Sequence, residues 1–245
     1  MKVFRNDALI QRNKQISKYA SLVGFVVLVG GLILGFVDPQ RYLLVQVVAL
    51  PIGWLLSQVG LYMAHRYLRS PRPDEAIDEA LGKVARGGRM YHYLLPVPHV
   101  LLMPTGPVVF LAKFQGGDIS VEDDKWKQRG VGLMRKMFSQ ESLGNPTKEA
   151  ENSVAALASF INKHAPSVEE VPIGAIIVFT SKNSGELDLD GSSFPAMHYT
   201  KLRGYFKQNA PRERLPAADY EALRQAFDAE AGETVQVVVE GQGSS

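Results

Sequence analysis

Cysteine is absent from the 245 residues. That excludes a disulfide framework, a thiolate metal site and a cysteine nucleophile, and it suits a reducing compartment. Net charge is nearly absent as well: 27 Lys and Arg oppose 25 Asp and Glu, leaving a formal +2. The balance conceals an asymmetry. Residues 1–18 carry five cations, Lys2, Arg5, Arg12, Lys14 and Lys18, against one acid, Asp7, whereas residues 66–245 carry 21 basic and 23 acidic residues. So slightly acidic a C-terminal part lacks the basic footprint of a dedicated nucleic-acid binder, and charge supports nucleic acid as a partner nowhere beyond a local patch. No Walker A run, Rossmann glycine fingerprint, GxSxG elbow or internal repeat occurs, which removes the motif-level evidence for those chemistries. The five histidines, His65, His92, His99, His164 and His198, show no HxxH or HExxH spacing, which argues against zinc.

What the chain has in quantity is uninterrupted apolar sequence. "YASLVGFVVLVGGLILGFV" (19–37) and "YLLVQVVALPIGWLLSQVGLYMA" (42–64) contain no charged residue. At ~1.5 Å rise per residue the shorter run reaches roughly 28 Å, close to the ~30 Å of a bilayer core, so both read as transmembrane helices. Pro51, Gln46 and Gln58 are tolerable there if neighbouring groups satisfy the polar atoms. A long basic lead, no small-residue cleavage site and a second span close behind argue against a cleaved signal peptide. Only "DPQR" (38–41) separates the runs, which predicts a tight antiparallel hairpin in the lipid bilayer with a turn at Pro39. The five cations before the first span, with Arg66, Arg69 and Arg72 after the second, outweigh Arg41 in the loop. By the positive-inside rule this is an integral protein of the cytoplasmic membrane with both termini cytoplasmic. Gly31 and Gly35 form a GxxxG opposite Ala49 and Gly53, suited to close backbone approach, and Tyr19, Tyr42 and Tyr62 sit where interfacial anchors would.

Residues 65–73 read as a linker, with Pro71 and Pro73 breaking the membrane helix. A helix is expected over 74–86, ended by Gly87-Gly88. Three strand-like runs follow, 90–96, 99–104 and 107–114, the last two joined at Thr105-Gly106, and they predict an antiparallel meander. Asn145 is a good N-cap, Pro146 suits the first helical position, and Val154, Leu157, Ala158 and Ile161 recur at helical spacing. "VPIGAIIVFT" (171–180) has the length and β-branching of a strand covered on both faces. The acidic loop "SKNSGELDLDG" lacks calcium-loop spacing and reads as a solvated loop or edge strand. Helices near 199–208 and 216–230, a strand over 234–240 and a frayed tail over 241–245 complete residues 74–240 as one mixed α/β or α+β domain.

Within "PVVFLAKFQGG" (107–117) a single lysine interrupts an apolar run. Residues two apart on a strand share a face, so Leu111 and Lys113 point one way and Phe110, Ala112 and Phe114 the other. Metal-dependent nucleases use this geometry as an acid-x-lysine pair: the carboxylate holds a divalent cation and the lysine positions the attacking water or stabilises developing charge. Here the lysine half stands alone. On its own terms Lys113 can lay its stem over Val109 and Leu111 and put its ammonium in water.

The order "PHVLLMPTGPVVFLAKFQGGDI", then Trp126, "NPTKEA" opening a helix and "VPIGAIIVFT" as the next strand, resembles the nuclease-related domain (NERD) family, which is similar in fold to restriction-endonuclease-like nucleases. The resemblance covers about residues 74–205. It implies a restriction-endonuclease-like α/β (α+β) domain, preceded here by the two-helix transmembrane hairpin. It also implies an aspartate where this chain has Pro98 and a glutamate where it has Leu111, so two acid positions fail while Lys113 matches. Glu75 or Glu79 on the upstream helix would occupy the place of a further acid, and Asp118 that of a displaced ligand. Where the family often shows glutamine after Asn-Pro, this chain has Glu149.

Two functions follow as expectations. The first is a membrane-anchored binding or scaffolding module with a degenerate nuclease-like centre and no cofactor. The alternative is an active membrane-tethered nuclease that uses Glu75 or Glu79, Asp118 and Lys113 with Mg²⁺. Two uncharged helices offer no intramembrane ionisable residue to line a transport path, which disfavours a channel or transporter. The sequence identifies no protein partner.

Overall fold

A computed structural model of the chain describes residues 1–132, 142–182, 184–209 and 213–232, and the backbone of 236–239. It falls into two compact units. Ala8–Arg72 belong to one; Met1–Asp7, Pro73–Val131 and the residues from Ser142 on form the other. The expected tail over 241–245 lies outside the described residues.

The first unit is a helical hairpin. Helix α1 spans Asp7–Val37 and α2 spans Leu43–Met63, continued by a π-helical turn, Ala64–Leu68. Helix α1 therefore starts well before the apolar run: no Gly or Pro interrupts residues 8–23, and Asp7 in the first turn complements the helix dipole. Both helices are long and apolar enough to cross a membrane. Their outward residues are bare, Phe36 at 81% exposure and Leu44 at 79%. Small residues make the seam between them. Ser17 Oγ donates to Gly60 O at 2.8 Å; a Cβ on Gly24 would lie 2.8 Å from Gly53 O, and one on Gly31 2.9 Å from the Cβ of Ala49. Ser17, Gly24 and Gly31 recur every seven residues, as do Gly53 and Gly60, the period of a left-handed helix pair. The GxxxG expectation catches part of this seam: Gly31 faces Ala49, but Gly35 faces the Gln46 side chain and Gly53 faces Gly24 and Leu28.

The second unit is built on a seven-stranded sheet. In chain order its strands are β1 (Lys2–Arg5), β2 (Arg89–His92), β3 (His99–Met103), β4 (Gly106–Lys113), β7 (Gly174–Phe179), β9 (Ala196–His198) and β10 (Gln236–Val239), arranged β10-β1-β2-β3-β4-β7-β9. Strands β2, β3 and β4 form the expected antiparallel meander, and β7 lies parallel to β4 with Lys113 level with Phe179. A smaller sheet has the order β6-β5-β8, from β5 (Gly117–Glu122), β6 (Lys125–Arg129) and β8 (Ser184–Asp188). The acidic loop thus supplies an edge strand. Helices α3 (Pro73–Leu81), α4 (Pro146–His164), α5 (Tyr199–Gln208) and α6 (Ala217–Ala231) complete the unit.

Strand alternation divides the core in two. Phe4, Tyr91, Val100, Leu102, Val109, Ile177 and Phe179 pack with residues of α4 and α6, such as Leu157 and Phe227. Val3, Met90, Leu101, Phe110, Ile176 and Val178 pack with Ile77 and Leu81 of α3 and with Leu202 and Phe206 of α5. Both faces of β7 are therefore covered, as its continuous apolar run requires. Other boundaries differ from the sequence reading as well: the strand expected over 90–96 is Arg89–His92. The upstream helix stops at Leu81 rather than Arg86, where Gly82 begins a series of turns. The basic lead over 1–18 is not simply a flank: Lys2–Arg5 pairs in parallel with β2 and antiparallel with β10, inside the sheet. Val3 and Phe4 are buried on opposite faces, so this four-residue strand shows no periodicity to read.

Candidate functional site

Lys113 ends β4 on the face covered by α4, and the side chain is buried, with 6% of the residue exposed. The expectation of an ammonium in water is therefore corrected. Its Nζ donates to Glu149 Oε1 and Oε2 at 2.6 and 2.7 Å and to Leu143 O at 3.0 Å. The carboxylate that no neighbour on the strand supplies comes from the first turn of α4. Asn145 caps that helix, accepting from Lys148 N at 3.1 Å, and Pro146 follows in the first turn. Gly144, at φ +67°, leaves room for the Glu149 carboxylate: a Cβ there would lie 2.8 Å from Oε1. Alanine at 144 would meet both the strained backbone and the carboxylate.

Neighbouring polar groups brace the same helix end. Gln115 Nε2 donates to Ser142 O at 3.1 Å, while its buried Oε1 has no hydrogen-bond partner among the described residues. Trp126 Nε1 donates to Thr147 Oγ1, and Thr147 Oγ1 to Asp124 Oδ1, both at 2.8 Å. Asp124 also accepts from Ser193 N at 2.8 Å and from Ser193 Oγ. These bonds, led by the Ser193 hydroxyl and amide, hold the Asp124 carboxyl below its ordinary value. Asp123 and Asp124 occupy the turn between β5 and β6 at φ 47° and 59°, the left-handed conformations that a tight hairpin demands.

The remaining predicted site residues lie elsewhere. Glu75 and Glu79 are on α3, whose apolar residues pack on the opposite face of the sheet. Asp118 is exposed on β5 of the smaller sheet, where Oδ1 accepts from Glu186 N at 3.0 Å. Leu111 is on β4 on the face of Lys113, and Pro98 immediately precedes β3, the strand paired with β4. At these two positions, where the resembled family would carry acids, neither side chain has an oxygen. Around Lys113, Glu149 is committed to the lysine, while Glu75 and Glu79 belong to the helix packed on the other face and Asp118 to the smaller sheet. Among the described residues no three His, Asp or Glu side chains form a metal-holding group.

Sequence reasoning missed a second polar cluster on the other face. Arg5 Nε lies 3.0 Å from Asp74 Oδ2, and Arg5 Nη2 donates to Asp78 Oδ2. His92 Nε2 is 3.0 Å from Asp78 Oδ1, and His92 Nδ1 is 2.8 Å from His99 Nδ1. With Asp78 ionised, His92 Nε2 must donate to it, and one of the two facing Nδ1 atoms must donate to the other. Asp74, Asp78, His92 and His99 are all buried, so the cluster fastens β1, α3 and the β2–β3 pair from inside. His92 and His99 stand opposite in the register. That pairing was the available signal, since both residues fall within strands of the expected meander.

Compared with protein-family models, with curated proteins and with solved structures, the chain finds no match.

Proposed function

We propose that the protein is a membrane-anchored, nuclease-related binding or scaffolding module whose lysine centre has been converted from catalysis to structure. The observation that carries this reading is the Lys113–Glu149 contact: the one charged group retained from the acid-x-lysine arrangement is buried and held by both oxygens of a carboxylate. A cation-assisted hydrolysis needs oxygen ligands beside the lysine, and the two family acid positions, Leu111 and Pro98, offer none. The restriction-endonuclease-like assignment draws on the element order α3-β2-β3-β4-β5-β6-α4-β7, in which a three-strand antiparallel meander and the small β5-β6 hairpin precede the helix and a strand parallel to β4 follows it.

In this reading the hairpin anchors the module at the cytoplasmic face of the membrane. Its support is the length and apolar surface of α1 and α2, together with the cations flanking their joined ends. Purified full-length protein should show no Mg²⁺- or Mn²⁺-dependent cleavage of DNA or RNA above a Lys113→Ala control. Robust cleavage by the wild type, abolished in Lys113→Ala, would overturn the non-catalytic reading in favour of a nuclease.

A further inference from the structure

Charge is segregated within the hairpin. Residues 8–72 contain seven Lys and Arg but one acid, Asp38. At the turn, Asp38 Oδ1 accepts from Arg41 N, and the two side chains balance in charge. All the other cations belong to the joined end. Because Ser17 bonds Gly60, the antiparallel register sets Lys14 near the level of Met63 and Arg12 near that of His65. Arg12, Lys18 and Arg69 are exposed, and Lys14 is half-exposed. The Arg66 guanidinium lies over the Tyr62 ring, 3.7 Å from its centroid, and Tyr19 is 67% exposed on the neighbouring helix.

From Arg12 to Lys18 the cations cover roughly 9 Å of helix at ~1.5 Å per residue. That height is close to the ~5–8 Å headgroup layer on one side of a bilayer. It directly abuts the uncharged run, so any lipid covering the bare apolar flanks presents its phosphate to these side chains. By contrast, residues 73–245 carry 18 Lys and Arg against 23 Asp and Glu. An acidic domain tethered to an anionic surface is repelled by it, and the basic end of the hairpin counters that repulsion.

We infer that Arg12, Lys14, Lys18 and Arg69, beside the Tyr19 and Tyr62 rings, form a collar that selects anionic phospholipid headgroups. The inference rests on the membrane reading above and goes beyond it by naming the lipid class. The full chain is reconstituted into nanodiscs of phosphatidylcholine alone and of an equal mixture with phosphatidylglycerol. Lipids retained after extraction into detergent are then counted by native mass spectrometry.

The wild type should enter both discs and retain phosphatidylglycerol preferentially. Replacing Arg12, Lys14, Lys18 and Arg69 together by Gln should lower that preference at least about fivefold, the factor for one surface cation near an anionic leaflet. Arg41→Gln, at the turn, should leave it unchanged. Insertion into both discs without preference, or a preference that the fourfold Gln variant keeps, would overturn the collar while leaving the membrane reading intact. Failure to enter either disc would overturn both.

Discussion

A buried ammonium needs a counter-charge, and for Lys113 it comes from a residue 36 positions away on another element. Removing one member leaves the other without its charge partner, which costs several kcal/mol in a fully buried pair. Here the Glu149 side chain is 43% exposed, so water screens part of the loss. Glu149→Leu and Lys113→Met should each destabilise the protein by about 2 kcal/mol. The double variant should cost clearly less than the sum of the two, because no stranded charge remains. Denaturant titration of full-length protein in detergent, followed by tryptophan fluorescence, measures all three; additive losses would show that the two groups are not coupled. Asp124 makes a pH-dependent contribution of known sign. Its carboxyl is depressed by bonds from Ser193 and Thr147, so the stabilisation is fully present above the unfolded value, near 3.8, and is lost as pH falls through the lower folded value. Acid titration should therefore release the Thr147 link to the Trp126 indole only as the pH falls below the ordinary carboxyl value of 3.8. The Asp124→Asn variant should lack that component of the fluorescence change.

At the scale of elements, what could be read in advance was what is written locally. Asn145-Pro146 and the spacing of Leu157 and Ile161 mark α4, and the apolar run before Phe179 marks β7, because capping chemistry and periodicity are properties of neighbouring residues. The partners of Lys113 and His92 were illegible for the opposite reason. Glu149 meets Lys113 only once α4 packs on the sheet, and Asp78 meets His92 only once α3 covers the other face. Strand β1 was hidden by brevity and by its charges, which read naturally as a membrane flank. Its burial predicts a large effect from a small change. Arg5→Met removes the cation between buried Asp74 and Asp78 and should cost about 3 kcal/mol. Hydrogen exchange should localise the damage to β1 and the facing amides of Met90–His92. Unchanged protection there would mean that the Arg5 ion pairs do not hold the strand in place.

For the whole molecule, β1 constrains topology more tightly than any count of basic residues. It precedes α1 in the chain, yet pairs residue for residue with β2, which follows α2: Val3↔Met90, Phe4↔Tyr91. Two segments in one sheet occupy one compartment, so a chain that enters a bilayer through α1 must return through α2. A single span, or opposite-sided termini, would tear β1 out of the sheet. The positive-inside rule then supplies only the remaining choice, which side holds the sheet, and our proposal of the cytoplasm rests on the excess of cations at the joined end. The absence of cysteine makes the test clean, because each introduced thiol is the only one in the chain. A membrane-impermeant maleimide applied to intact cells should label Gln40→Cys, in the turn between the helices, and should reach Ser70→Cys only after lysis. The reverse pattern would keep the hairpin but invert its orientation. Labelling of both positions from outside would break the sheet-imposed pairing of the two ends, and with it the placement of β1 beside β2 in the membrane-bound protein.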